Sequence, residues 1–314
     1  MLSSQLNKYR ERLLLWQSRL WQQAQVRFPV FAAKLPPYWR LTRMHKPIGT
    51  FLVLWPTLWC LWVAGEGRPE IKLVIIFTLG CLLMRSAGCC INDYADRNFD
   101  GKVARTRERP LATGEIRPAE ALWLCAGLCL LAFLLVLLTN LFTILMAFAA
   151  LAIALAYPFM KRYTHMPQLV LGAAFSWGGL MAFTAQTNAL PVQAWLLYIA
   201  NLLWTVAYDT QYAMVDREDD LKLGIKSTAI LFAEADVFVI AFLQIFFLIT
   251  LALSANHFGL GSVFELGLVL AGLMFLYQHT LTWNRQADNC FKAFLNNNYV
   301  GLIIFLATVI DYLV

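Results

Sequence analysis

Asn92-Asp93-Tyr94-Ala95-Asp96-Arg97-Asn98-Phe99-Asp100-Gly101-Lys102-Val103-Ala104-Arg105-Thr106-Arg107-Glu108-Arg109-Pro110 sets three aspartates and five basic residues between two long apolar runs. Asn92, Asp96 and Asp100 recur every four residues, which on a helix stacks them on one face. Stacked carboxylates repel one another. The pattern therefore calls for a cation between them, and an oxygen-only donor set suits Mg2+ or Ca2+ better than Zn2+. The basic residues that follow suit an anion held by that metal.

The flanking runs decide the fold class. The chain has 314 residues, of which 60% are apolar and only 14% charged, and its mean hydropathy is +0.60. A soluble domain carries about 25% charged residues. The sequence thus describes an all-α integral membrane protein, because a helix satisfies its own backbone in lipid. The net charge of +6 is no sign of nucleic-acid binding, since the charges fall in short loops between apolar segments. The seven cysteines lie mostly inside apolar runs and read as small hydrophobes. Cys125 and Cys129 share a helical face, yet no His or second Cys pair completes a zinc set.

Residues 1–34 are polar and basic, with no early apolar stretch of the kind a cleaved signal peptide needs. Leu13, Leu14, Trp16, Leu20 and Trp21 alternate with Arg10, Arg12 and Arg19. This describes an amphipathic or disordered arm, ended by Pro36-Pro37.

Nine apolar segments follow, at about 47–65, 72–91, 119–138, 141–160, 168–186, 192–210, 229–253, 262–282 and 298–314. Each approaches the roughly 20 residues that span a bilayer. Alternate loops differ in charge. One set holds Lys34, Arg40, Arg43 and Lys46, then the basic residues of 97–117, Lys161, Arg162, Arg217, Lys222, Lys226, Arg285 and Lys292; the other holds only Arg68 and Lys72. The positive-inside rule puts the first set in the cytoplasm, the N-terminus inside and the C-terminus outside.

A second acidic cluster falls on the same side. Asp209 and Asp216 are two helical turns apart and Asp220 one turn further, so the three share a face, while Glu218 and Asp219 point elsewhere. Asp209 lies near the end of an apolar segment, where an ionisable residue is costly and functional by default. Two carboxylate clusters with Lys and Arg around them suit a polyphosphate held through Mg2+. An allylic diphosphate held so would ionise, and a dry aromatic-lined cavity would shelter the carbocation.

These motifs resemble those of the intramembrane UbiA-type aromatic prenyltransferases. Arg43-Met-His-Lys46-Pro-Ile-Gly49-Thr, the stretch from Asn92, Arg109-Pro-Leu, Ala156-Tyr-Pro-Phe-Met-Lys161-Arg162, Tyr208-Asp-Thr-Gln-Tyr-Ala-Met-Val-Asp216-Arg and Lys222-Leu-Gly-Ile-Lys-Ser-Thr are similar to the bacterial 4-hydroxybenzoate polyprenyltransferases. The resemblance covers residues 38–314 and implies one domain of nine transmembrane helices around a central, laterally open cavity. It implies transfer of a long polyprenyl group from its diphosphate to 4-hydroxybenzoate, ortho to the hydroxyl, in ubiquinone biosynthesis in the bacterial inner membrane. Asp96, Asp100, Asp216 and Asp220 become the catalytic carboxylates that hold Mg2+, with Asp93 and Asp209 beside them. Lys102, Arg109, Lys161 and Lys222 become candidates for the diphosphate.

The acceptor is an anion, so it needs a cation or amide. Arg43 and Arg162 offer a fork that matches a carboxylate, and Asn92 would orient the ring. The four histidines show no metal spacing, although His165 is near Arg162. Two alternatives stay open: the same chemistry on another aromatic acceptor, and a cation-coupled membrane transporter. The gathering of carboxylates at one membrane face, away from the midplane, weighs against transport.

Overall fold

In a computed structural model of the protein, which describes residue 27 and residues 29–103 and 105–314, every described element is helical. Helix α1 spans Pro29–Leu41, α2 Ile48–Ala64, α3 Ile71–Asp96, α4 Pro118–Val136, α5 Leu141–Met160 and α6 Pro167–Thr187. Helix α7 spans Ala194–Leu223, α8 Thr228–Phe232, α9 Asp236–His257, α10 Ser262–Thr282 and α11 Ala287–Asp311. The protein is an integral membrane protein. Among the described residues, seven stretches are long and apolar enough to cross a bilayer: α3, α4, α5, α6, the run Thr228–His257, α10 and α11.

Each of the nine expected apolar segments has its helix, but by that measure two fall short of a span. Helix α2 is apolar but has 17 residues. Helix α7 has 30 residues, and its last turns carry Asp209, Asp216, Glu218, Asp219 and Asp220. It runs well past residue 210, where Arg105 pairs with Asp216 and Lys222 lies 3.6 Å from Asp219. Helix α9 starts at Asp236, later than hydropathy suggests, because Ala233 turns into the left-handed region with φ 46°. Helix α11 starts eleven residues ahead of the apolar segment.

The N-terminal arm falls mostly outside the described residues. What is described differs from expectation, since α1 continues through Pro36 and Pro37 to Leu41. Tertiary contacts hold it: Lys34 Nζ reaches the Glu115 carbonyl and Glu120, each at 3.1 Å, and Arg40 pairs with Glu115. Tyr38 and Leu41 pack with Cys90, Ile116 and Ala121.

Helix α2 packs against α3, α6 and α11. Around it, α3 carries α4, α5 leans on α6, α6 on α7, α7 on α9 and α11, and α10 on α9 and α11. One seam stays loose, because α4 and α5 barely touch each other and are the least buried of the spans. Asn140 caps α5 at their bend, its side-chain oxygen accepting from Thr143 N at 2.9 Å and its amide donating to Thr184 O. The core centres on stacked rings, with Trp59 and Trp204 5.6 Å apart and Trp204 and Phe247 5.7 Å apart.

Lipid is as apolar as the core, so packing and hydrogen bonds hold such a bundle together. Gly301 serves both. Its carbonyl accepts from Trp59 Nε1 at 3.1 Å. A Cβ there would meet Trp55 Cδ1 at 2.6 Å and Trp204 at 3.0 Å. Rigid indoles cannot swing aside, so Gly301→Ala is expected to destabilise the fold by about 1–3 kcal/mol, the usual cost of overpacking. Tryptophan fluorescence during denaturation in detergent reads this, and an unchanged midpoint would show that the α2–α7–α11 core yields.

Candidate active site: two carboxylate clusters meeting beside an apolar cavity

Asp93 and Asp96 sit in the last turn of α3, whereas Asp100 has left the helix and opens a three-residue 3-10 turn, Asp100–Lys102. The helical spacing from Asn92 therefore holds to Asp96 and breaks before Asp100. The turn nevertheless brings Asp100 back to the same place. Asn92, Asp96 and Asp100 line a polar cavity of about 150 Å³ together with Asp209, Asp216 and Asp220 of α7. The two clusters face each other across one space.

Cations hold them apart. Asp93 is 1% exposed and receives Arg43 Nη2 on both oxygens, at 2.8 and 2.9 Å. Arg109 Nη1 lies 3.0 Å from Asp93 and from both oxygens of Asp100, so one guanidinium bridges two carboxylates. Lys161 pairs with Asp96 Oδ2, which Asn92 Nδ2 also approaches at 3.3 Å. Arg105 reaches from the 97–117 loop to Asp216, with Nε 2.9 Å from Oδ1, and lies over the Tyr212 ring at 4.6 Å. Arg43 holds its position with φ 58°, a left-handed backbone that a non-glycine residue adopts only when its surroundings impose it.

The balance is incomplete. Asp96 Oδ1 is buried without a hydrogen-bond partner. Burial pushes the Asp100 carboxyl up to about 6 against the pull of Arg109, and its neighbours Asp96 and Asp93 push the same way. Among the described residues, no three His, Cys, Asp or Glu side chains converge closely enough to hold a metal ion in this state. Asp93, Asp96, Asp100 and Asp216 are drawn instead to basic side chains. The donors themselves are all oxygen, one is orphaned, and both clusters open on the same cavity. This chemistry fits a hard divalent cation.

The polar cavity continues into a much larger one of about 1110 Å³, and Asn92, Arg105, Arg109, Tyr157, Asp209 and Tyr212 line both. The large cavity is walled mainly by apolar side chains, including Phe133, Phe148 and Phe175. Its wall includes facing residues of α4 and α5, whose other faces carry exposed Leu131, Leu134 and Leu145. The cavity is thus bordered by the loose seam, the side on which lipid would lie.

Arg43 lines the large cavity, but Arg162 lines neither, its guanidinium donating to Ala95 O and lying near Phe99 and Phe159. Lys102 and Lys222 are exposed and also lie outside both walls, with Lys222 3.6 Å from Asp219. Lys226 lines the polar cavity in place of Lys222, because Gly224 ends α7 in the left-handed region and turns the chain back. Lys226 N then bonds Lys161 O at 3.2 Å.

The side chain that sequence reasoning passed over is Arg85, in the middle of α3. It lies two helical turns before Asn92 on the same face and lines the large cavity. Its Nη1 approaches Cys89 Sγ at 3.1 Å, its Nε is buried without a partner, and among the described residues it has no ion pair. Gly49 makes room for it, since a Cβ there would stand 2.5 Å from Arg85 Nε. An arginine inside an apolar segment is itself a signal.

Residues 53–307 match the model of the UbiA prenyltransferase family. The chain belongs to that family. It is 58% identical over 277 residues to the 4-hydroxybenzoate octaprenyltransferase of Chromohalobacter salexigens, covering 88% of this chain and 93% of that one. It is 59% identical over 273 residues to the enzyme of the same name from Pseudomonas aeruginosa, covering 87% and 92%. Among solved structures, a UbiA homologue from Aeropyrum pernix superposes with TM-score 0.73 at 24% identity, over 82% of this chain and 97% of that one. A UbiA homologue from Archaeoglobus fulgidus, bound to GPP and Mg2+, superposes with TM-score 0.69 at 17% identity, over 88% and 100%. Both share the helical UbiA fold with this prenyltransferase.

Paired and unpaired cations should behave oppositely in this UbiA protein. Removing one partner of a buried pair costs about 3–5 kcal/mol. Arg109→Met is expected near the lower end, because Arg43 still holds Asp93. Arg85→Met breaks no hydrogen-bonded ion pair and should cost less than about 1 kcal/mol or stabilise. Thermal unfolding in detergent compares them, and equal losses would mean that Arg85 has a structural partner.

Proposed function

We propose that this prenyltransferase moves a long polyprenyl group from polyprenyl diphosphate to the ring carbon of 4-hydroxybenzoate ortho to its hydroxyl. The allylic C–O bond breaks, a C–C bond forms, the ring loses its proton, and diphosphate departs. The carrying observation is the meeting of the two carboxylate clusters at the neck of a large apolar cavity. The acceptor is supported by its place in the name of the relatives, 4-hydroxybenzoate octaprenyltransferase. Residues 38–314 act as one catalytic domain.

Asp96, Asp100, Asp216 and Asp220 would hold Mg2+, with the orphaned Asp96 oxygen already free for it. Mg2+ held by these residues would supply the positive charge that stabilises the leaving diphosphate. Arg105, Arg109 and Lys161, released from their carboxylates, turn to the diphosphate, and Lys226 adds a fourth cation from the opposite wall. Tyr208, Tyr212, Phe291 and Phe294 line the cavity, and aromatic rings there would stabilise the carbocation. The apolar walls keep water from it.

The acceptor's carboxylate needs a cation not already committed. Arg43 is spent on Asp93, and Arg162 lies outside the cavity. Arg85 is uncommitted and set within the wall. We therefore assign the carboxylate to Arg85, with Asn92 orienting the ring. We further propose a bacterial inner membrane as its location; the distribution of loop charge supports an orientation with the site and the N-terminal side of α2 facing the cytoplasm and the end of α11 facing the periplasm.

The test is an assay on membranes holding the protein, with prenyl diphosphate and labelled 4-hydroxybenzoate. Label should enter the lipid phase with Mg2+ and not with EDTA. Asp96→Asn or Asp216→Asn should lower turnover by at least about 10²-fold, the scale for losing a preorganised electrostatic group. Arg85→Gln should raise KM for 4-hydroxybenzoate at least about tenfold, the worth of one charge-assisted bond, and leave KM for the diphosphate unchanged. Equal effects on both substrates would remove Arg85 from the acceptor site. Transfer to a naphthoate but not to 4-hydroxybenzoate would move the acceptor and keep the chemistry.

A further inference from the structure

On the face of α7 turned away from the site lies a chain of buried amides that the reaction does not use. Asn297 Oδ1 accepts from Trp204 Nε1 at 2.9 Å, and Asn297 Nδ2 donates to Gln211 Oε1 at 2.9 Å. Gln211 Nε2 donates to Gln278 Oε1 at 3.0 Å, and the same oxygen accepts Gln244 Nε2 at 2.9 Å. Gln278 Nε2 continues to Asn296 Oδ1 at 3.0 Å, and His279 Nε2 meets Gln244 Oε1 at 2.9 Å. Gln211, Gln278 and Asn297 are 0% exposed and Gln244 2%. None of their side-chain atoms is left without a partner.

We propose that Gln211, Gln278 and Asn297 are positioning residues that fix the rotation of α7 and thereby aim Asp216 and Asp220 at the metal site. Trp204 and Gln211 are seven residues apart and share one face; the stripe Asp209, Asp216 and Asp220 lies about 150° round the helix, close to the opposite side. The stripe faces a cavity, and its carboxylates repel one another. Apolar packing alone tolerates rotation, whereas hydrogen bonds lose strength steeply with angle. A rotation of about 10° carries a side-chain tip about 1 Å, given a helix radius with side chains of about 5–6 Å. Metal ligands tolerate about 0.2 Å. Gln211 is therefore placed where a small loss of restraint is felt across the helix as lost metal affinity.

The proposal rests on the metal-holding role given to Asp216 and Asp220, and the test separates the two. Binding of Mn2+, a hard-ion probe, is titrated against detergent-solubilised protein with inorganic diphosphate present, the free ion being read by electron paramagnetic resonance. Gln211→Met and Asn297→Leu each cut the tie to α7. Gln244→Met removes a buried amide from the same network that bonds only α10 residues. The first two are expected to weaken Mn2+ binding at least about tenfold, with a matching rise in the Mg2+ needed for half-maximal transfer. Gln244→Met should stay within about twofold of the unaltered protein, even where all three lower the unfolding temperature. Equal Mn2+ affinity in all variants, an equal loss in Gln244→Met, or failure of only the α7-linked variants to fold would overturn the positioning role. No Mn2+ binding by the unaltered chain would overturn the metal assignment and this proposal with it.

Discussion

Carboxylates at the edge of a lipid-embedded bundle must be neutralised, and the way this protein does so governs its architecture. Arg109 bridges Asp93 and Asp100, Arg43 closes on Asp93, Lys161 on Asp96 and Arg105 on Asp216. These pairs tie the α1–α2 turn, the 97–117 loop, α5 and α7 to the end of α3. Charges that would be expensive alone become the staples of that end of the molecule. Under the proposed function the same pairs would be exchanged, since a divalent cation and a polyphosphate would together replace both halves of each pair without stranding a charge.

The opposite requirement shapes the rest of the bundle. Where no charge is available, α2, α7, α9 and α11 are held by indole and phenyl stacking and by amide-to-amide bonds. Directional contacts of this kind fix geometry where hydrophobic burial cannot. The molecule therefore has a firm side, built on α7 and its neighbours, and a loose side at the α4–α5 seam. Between them sits the cavity.

Much of this was legible in the sequence. Segment hydropathy located every long helix, and the four-residue and seven-residue spacing of Asp209, Asp216 and Asp220 put them on one face of α7, as found. Local spacing could not show that Asp100 leaves the helix, because the turn is held by Arg109 and by Thr106 Oγ1 bonding Asp100 O at 2.8 Å. Pairing partners were out of reach, since Arg105 and Asp216 are 111 residues apart. Lys222 and Lys226 looked alike in sequence, and only the left-handed turn at Gly224 separates an outward cation from an inward one. Arg85 was visible throughout as a charge in an apolar run, and its meaning depended on the missing side chain of Gly49 on another helix.

The bend at Asn140 gives the loose side its shape. Helices α4 and α5 meet there, fastened to the end of α6, and between them Phe133 and Phe148 stand 5.5 Å apart. Two rods joined at one end and borne on different neighbours form a slot, not a tunnel. A lipid tail need not be threaded through a slot from its tip; it can slide in broadside while its far end stays in the bilayer. A tail taken up in this way would be gauged only over the segment lying across the slot, with the carbons beyond it uncounted.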